Sequence, residues 1–207
     1  MAGMLPSSEL IAEDPRGRPM AAESQSDAPT LARRAAAGCV ASFSELARRY
    51  QVPVVHYVQQ LAGPGGDAED VAQEAFLRAW RHIAAYDPRY AFSTWLFTIA
   101  RRTWLNQTRA ARRRRVREAA VVPEAGCAAG ALAVALATER ATRLWQVART
   151  ELSEREFTSL WMRYVEDKPV AEIAVVLDKP VATVKVILFR ARRRLEPLVR
   201  DLTEWSE

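Results

Sequence analysis

The run 67–115 constrains this chain more than any other, because apolar residues recur there at helical spacing while the charges are sorted by sign. Val71, Ala72, Ala75, Phe76, Ala79 and Ile83 predict one buried helical stripe, leaving Asp70, Gln73, Glu74 and Arg78 on the outer surface. Asp67 is the expected N-cap, acids fill the first turn where the helix dipole favours them, and Glu74 stands one turn before Arg78. Residues 67–74 hold four acids and no base, whereas 89–117 hold nine arginines and no acid. Faces of opposite sign imply two partners of opposite charge.

Tyr86, Asp87 and Pro88 interrupt the helix, and a second is expected to start at Ser93 as N-cap, with Phe92 and Phe97 as a hydrophobic staple. Trp95 and Trp104 fall within it and Tyr90 just before it, interleaved with Arg101, Arg102 and Arg109. Such a pattern suits unpaired nucleic acid, since guanidinium groups hold phosphate and rings stack on bases. It equally suits a core helix with a solvated basic face. The residues alone leave both readings open.

Upstream, 1–29 has no sustained period and reads as a disordered tail. Thr30 is expected to cap a short helix that Gly38 ends. Ser42 and Glu45 have capping-box spacing before Phe43, Leu46 and Tyr50. Pro53 is expected to break or kink the run that Val54, Tyr57, Val58 and Leu61 continue up to the Gly-Pro-Gly-Gly turn at 63–66. These elements and the two helices above make an all-α domain over 30–115.

Residues 116–137 lose aromatics and periodicity and read as a flexible linker; the helical period returns over 138–200, leaving 201–207 as a C-terminal tail. Ser153 and Glu156 form a second capping box, with Leu152 and Phe157 as staple, and Phe157, Leu160, Trp161 and Tyr164 mark a buried face. A short helix over 170–177, a turn at Asp178, Lys179 and Pro180, and a last helix from Val181 to about Leu195 follow. Val184, Leu188, Ala191 and Leu195 give that helix its core stripe, and Arg190, Arg192, Arg193 and Arg194 its basic end. Two helices joined by a three-residue turn, the second basic, form a helix-turn-helix.

The net charge of +5 is concentrated rather than spread, which favours an acidic polymer as partner. Cys39 and Cys127 stand far apart, and His56 and His82 lack ligand-like neighbours, so neither a disulfide framework nor a metal site is expected. No signal peptide is evident, and the small-apolar run 128–137 is far below the ~20 residues that span a bilayer, so membrane insertion is not expected and the cytoplasm is the expected location. No Gly-rich phosphate loop, HExxH or GxSxG is present, so no catalytic residue or cofactor is assigned.

The blocks DAEDVAQEAFLRAW at 67–80 and FSTWLFTIAR at 92–101, followed by 152–185 and 190–192, resemble the sigma-70 family, and the two-domain layout resembles its extracytoplasmic function group. The likeness covers about 30–115 and 138–198. It implies that the first domain is region 2, which docks on core RNA polymerase and recognises and melts the −10 promoter element. The second would be region 4, which binds the polymerase flap and sets its helix-turn-helix on the −35 element.

Carried over, Asp67, Asp70, Gln73, Glu74 and Arg78 would meet the polymerase. Arg89, Tyr90, Phe92 and Ser93 belong to the loop that would capture a flipped −10 base, while Arg101, Arg102, Asn106 and Arg109 would line the DNA side. Thr183, Lys185, Val186, Phe189, Arg190 and Arg193 would face the −35 groove. The family is commonly held inactive by an anti-sigma protein, which makes such a partner an expectation here.

Arg102 stands where the family usually has Asn, Asn106 where it has Asp, and Asp178 where it has a turn Gly. Val186 and Ile187 replace a usual Ser-Arg on the recognition helix. Neither can donate a hydrogen bond, which leaves two readings: packing on thymine methyl groups, or docking on a protein. The competing function is a stand-alone helix-turn-helix regulator that binds duplex DNA and senses a signal with its first domain. The acidic helix at 67–80 favours the polymerase subunit, since a sensor needs a pocket.

Overall fold

A computed structural model describes residues 27–63, 67–117 and 137–204. They form α1 (Ala28–Ala36), α2 (Val40–Ala62), α3 (Ala68–Arg81), a 3-10 turn (Ile83–Ala85), α4 (Phe92–Arg117), α5 (Ala137–Glu151), α6 (Glu154–Tyr164), α7 (Val170–Leu177) and α8 (Val181–Glu204). The tail expected over 1–29 and the linker over 116–137 lie mostly outside the described residues. The described residues are all-α, with α1–α4 packed on one another, α5–α8 packed on one another, and the two groups joined mainly where α7 lies on α4.

The expected stripes are the core, except that Phe76 of the α3 stripe is only half-buried against it. Val71, Ala72, Ala75, Ala79 and Ile83 bury on the first group, as do Val54, Tyr57, Val58 and Leu61 from α2. In the second group Ile173, Leu177, Val184, Leu188, Ala191 and Leu195 are buried. Each large aliphatic side chain removed from water contributes roughly 1.5–3 kcal/mol, so these stripes rather than helix propensity hold the helices in place.

Helix starts and ends depart from expectation where a local signal competes with a neighbour. α1 begins at Ala28 with Pro29 in its first turn, earlier than a Thr30 cap would allow. α2 begins after Cys39, so Ser42 lies inside the helix, buried, with its hydroxyl on Cys39 Sγ. Glu45 is therefore no cap; it accepts from Arg48 at 2.8 Å and Arg49 at 2.6 Å, which hold its carboxyl down at about 2. Pro53 removes one hydrogen bond but does not break α2. α8 likewise passes through Pro197 to Glu204, beyond the expected end near Leu195.

Ser153 and Glu156 do form the expected capping box. The Ser153 hydroxyl accepts from the Glu156 N–H at 3.4 Å, and the Glu156 carboxylate accepts from the Ser153 N–H at 3.0 Å. α7 closes in a left-handed cap at Asp178 (φ 54°, ψ 53°): the Lys179 N–H reaches the Ala174 carbonyl at 3.0 Å and the Asp178 N–H the Val175 carbonyl at 3.2 Å. Asp is tolerated there at a cost, and its charge opposes the helix dipole. Replacing Ser153 by Ala is expected to lower the unfolding free energy by about 1 kcal/mol, and replacing Asp178 by Gly to raise it by about 0.5–1 kcal/mol. Opposite displacements of the urea midpoint at constant m-value check both.

Candidate functional site

Charge sorting along the sequence becomes separation in space. On α3, Asp67, Asp70 and Gln73 are exposed and Glu74 and Arg78 half-exposed, on the side opposite the buried stripe. Arg78 donates to Glu74 at 2.6 Å and holds that carboxyl below its usual range. Leu77, 45% exposed, lies in the middle of this face. It was not among the expected contact residues, although its place outside the apolar stripe was a signal for it.

α4 is divided along its length. Arg102, Asn106 and Arg109 are exposed; Tyr90 is half-buried at the approach loop, where the Tyr86 hydroxyl donates to the Tyr90 carbonyl at 2.8 Å. Arg89 is exposed and clamps Asp87 at 2.6 Å, depressing that carboxyl and raising its own guanidinium. Three other members of the expected −10 set are not open to solvent. Phe92 is 1% exposed and packs between Tyr50, Tyr86 and Trp95, so it is a core residue. Ser93 is buried in the first turn of α4 rather than capping it; its hydroxyl accepts from Lys168 at 2.5 Å.

Arg101 is 6% exposed and lies between the two helix groups. It grips Glu154 with two bonds, Nε at 2.5 Å and Nη2 at 2.8 Å, and reaches the Val176 carbonyl at 3.4 Å. Burial opposes its charge, but the Glu154 hydrogen bonds and charge outweigh burial and raise its affinity for the proton. Thr158 also donates to Glu154, at 3.1 Å, so its hydroxyl must accept from Tyr57, 3.0 Å away. A second polar contact stands at the start of α4, where Thr94 donates to Glu172 and Lys168 lies 3.6 Å from the same carboxylate. The aromatics were expected to be either platform or core; they are mostly core, with Trp95 half-buried beside a cleft of about 780 Å³ between Arg102 and Lys179.

In the second group the last helix divides into an exposed side and the expected core stripe. Thr183, Lys185, Val186, Phe189, Arg190 and Arg193 are all exposed on one side of α8, with the core stripe on the other. Ile187 is half-buried against the core and is not part of that face. Tyr164, expected inside, is 58% exposed and lies under the Arg192 guanidinium. With Leu144, Trp145, Val165 and Leu195 it lines an apolar groove of about 590 Å³ between α5, α6 and α8. Among the described residues no group of His, Cys, Asp and Glu is placed to hold a metal ion.

Comparison with known proteins adds a consistent picture. Residues 46–114 match the Sigma-70 region 2 family, and residues 146–195 match Sigma-70, region 4. The chain is similar to the RNA polymerase sigma-H factor of Pseudomonas aeruginosa, 31% identical over 183 residues that cover 83% of this chain and 95% of that protein. It is 28% identical over 169 residues to the ECF RNA polymerase sigma factor SigW of Bacillus subtilis, covering 78% of this chain and 90% of the relative. In fold it is similar to the sigma factor RpoE in complex with the anti-sigma factor NepR from Bartonella quintana (TM-score 0.66, 20% identity, 78% of this chain and 98% of that one). CnrH in complex with the cytosolic domain of CnrY gives a TM-score of 0.62 at 22% identity, covering 84% of this chain and 97% of that one.

The Arg101–Glu154 pair generates a stability prediction. Glu154→Ala leaves the Arg101 cation buried without its partner and is expected to cost about 3 kcal/mol. The double change Arg101→Met with Glu154→Leu removes both charges and should recover most of that loss. Equal losses in the single and double variants, read by urea unfolding, would mean the pair acts only through packing.

Proposed function

The chain belongs to the sigma-70 family, in its extracytoplasmic function group, and from that premise we propose how its surfaces divide the work of an alternative sigma factor directing transcription initiation. α3 docks on core RNA polymerase, α4 with its approach loop takes the −10 element, and α8 takes the −35 element. The observation that carries this reading is the pair of exposed faces, one acidic on α3 and one basic on α8, on separate elements of one molecule. The protein acts by binding and positioning, not by catalysis. The stand-alone regulator is the poorer account of an acidic face with Leu77 at its centre, an arrangement of apolar core and polar rim that suits a protein partner.

Arg102, Asn106 and Arg109 are free to meet promoter DNA, whereas Ser93, Thr94 and Arg101 are engaged by Lys168, Glu172 and Glu154. Contact with the −10 element along the whole of α4 therefore follows separation of the two helix groups. The apolar groove beside Tyr164 suits the polymerase flap. An anti-sigma protein, the kind of partner named for the Bartonella complex, is the proposed inhibitor. Among the described residues no helix is long and apolar enough to cross a membrane, and the proposed place of action is the cytoplasm.

Transcription in vitro with core polymerase and a promoter library tests the whole reading. Asp70→Lys with Glu74→Lys is expected to weaken core binding at least tenfold and to lower the thermal midpoint only slightly, since it ends the Glu74–Arg78 pair and reverses a charge in the first turn of α3 but leaves the core untouched; unaltered core affinity would remove α3 from the docking surface. Arg102→Ala and Arg109→Ala should each reduce the salt dependence of open-complex formation by roughly one ion per lost phosphate contact. An unchanged slope would make these two arginines a solvated face only.

A further inference from the structure

The recognition helix carries an apolar pair where a DNA-reading face is normally polar. Val186 is 47% exposed and Phe189 60% exposed, and no other element of the described chain covers them. Three residues apart, they share one side of α8 and line a shallow depression of about 710 Å³ with Arg190, Arg193, Arg194 and Glu156. Lys185 is exposed on the same side. Glu156, the one carboxylate of the depression, is already held by Ser153 and by Arg194 at 3.3 Å. The patch is thus apolar at its centre and cationic at its rim.

We propose that Val186 and Phe189 read the −35 element through the C5-methyl groups of thymines, with Lys185, Arg190 and Arg193 on the flanking phosphates. This rests on the assignment of α8 to the −35 duplex. The chemistry selects the occupant. In the major groove the thymine methyl is the one apolar group that a base presents, and it lies between two rows of phosphates. An apolar pair ringed by arginines is complementary to that arrangement. A purely apolar protein helix would leave the cations unmatched. Val186 and Phe189 offer no hydrogen bond, so the selectivity they confer is for thymine over uracil or cytosine at the facing positions. Ile187 packs inward and takes no part.

The test uses holoenzyme assembled from core polymerase and the full-length chain, on a promoter obtained from the library. Each −35 thymine is replaced in turn by deoxyuridine, which removes only the methyl. At one or two positions this is expected to weaken promoter binding about fourfold, the equivalent of one buried carbon. Val186→Ala or Phe189→Ala should abolish the sensitivity at its own position while uracil elsewhere behaves as before. Both side chains are solvent-facing, and an unchanged thermal midpoint identifies folded variants. If uracil is without effect at every thymine while the −35 sequence is still required, α8 reads DNA by other means and the proposal is wrong. If it is without effect and Val186→Ala weakens core binding in the absence of DNA, the patch belongs to a protein contact. If scrambling the −35 region changes nothing, the assignment of α8 itself fails, a result separate from the uracil outcome.

Discussion

The two helix groups meet chiefly where α7 lies on α4, and one buried ion pair adds a directional contact to that packing. An arginine at 6% exposure loses most of its hydration, and the loss is offset only by a partner with the right fork geometry. Glu154 supplies it with both oxygens, and the network continues through Thr158 to Tyr57, whose burial pushes its hydroxyl proton well above the ordinary phenol range. Hydrogen bonds of this kind are directional. They tie the start of α6 to α4 in one orientation, beside the packing of α7 on α4. Trp161 fills the space beside the network, meeting His56 and Tyr57 of α2 at 5.0 and 6.2 Å and Trp145 of α5 at 4.9 Å.

That seam decides which surfaces remain available. α3 packs its alanine-rich side inward and keeps its acids in water; α8 buries Val184, Leu188, Ala191 and Leu195 and keeps its cations in water. Neither face takes part in the contact between α4 and α7. The start of α4 does, because Ser93 and Thr94 meet Lys168 and Glu172 there. In this arrangement the proposed polymerase and −35 surfaces are open together, and the proposed −10 surface is open only at Tyr90, Arg102, Asn106 and Arg109 and at the exposed Arg89.

Local periodicity made most of the fold legible. The stripes on α3, α7 and α8 could be read because each repeats within its own helix, and the Ser153 capping box because its two partners are three residues apart. Spacing misled where a longer helix overran the signal: Ser42 and Glu45 have the pattern of a cap but lie inside α2. Long-range pairing was not legible at all. Nothing near Arg101 distinguishes it from Arg102, yet the first is buried against a carboxylate 53 residues away and the second is in water. Tyr164 failed for the converse reason: its spacing matches Leu160 and Trp161, but the Arg192 guanidinium covers its ring at the mouth of an open groove.

Two of the groups that the seam engages are of the kind that hold phosphate: the Arg101 guanidinium, and the Thr94 hydroxyl in the first turn of a helix, where backbone dipoles favour an anion. Glu154 and Glu172 stand at those positions as the anions of the closed arrangement. Under the proposed function a promoter phosphate would compete with these carboxylates for Arg101 and Thr94, and DNA that took Arg101 would withdraw one of the polar contacts between the two groups. A ligand shifts a two-state equilibrium only by its differential affinity, and here the difference is built from the same side chains. Under the proposed function, −10 binding and separation of the two halves are therefore a single exchange of anions, in which each phosphate accepted by α4 removes one reason for the molecule to stay closed.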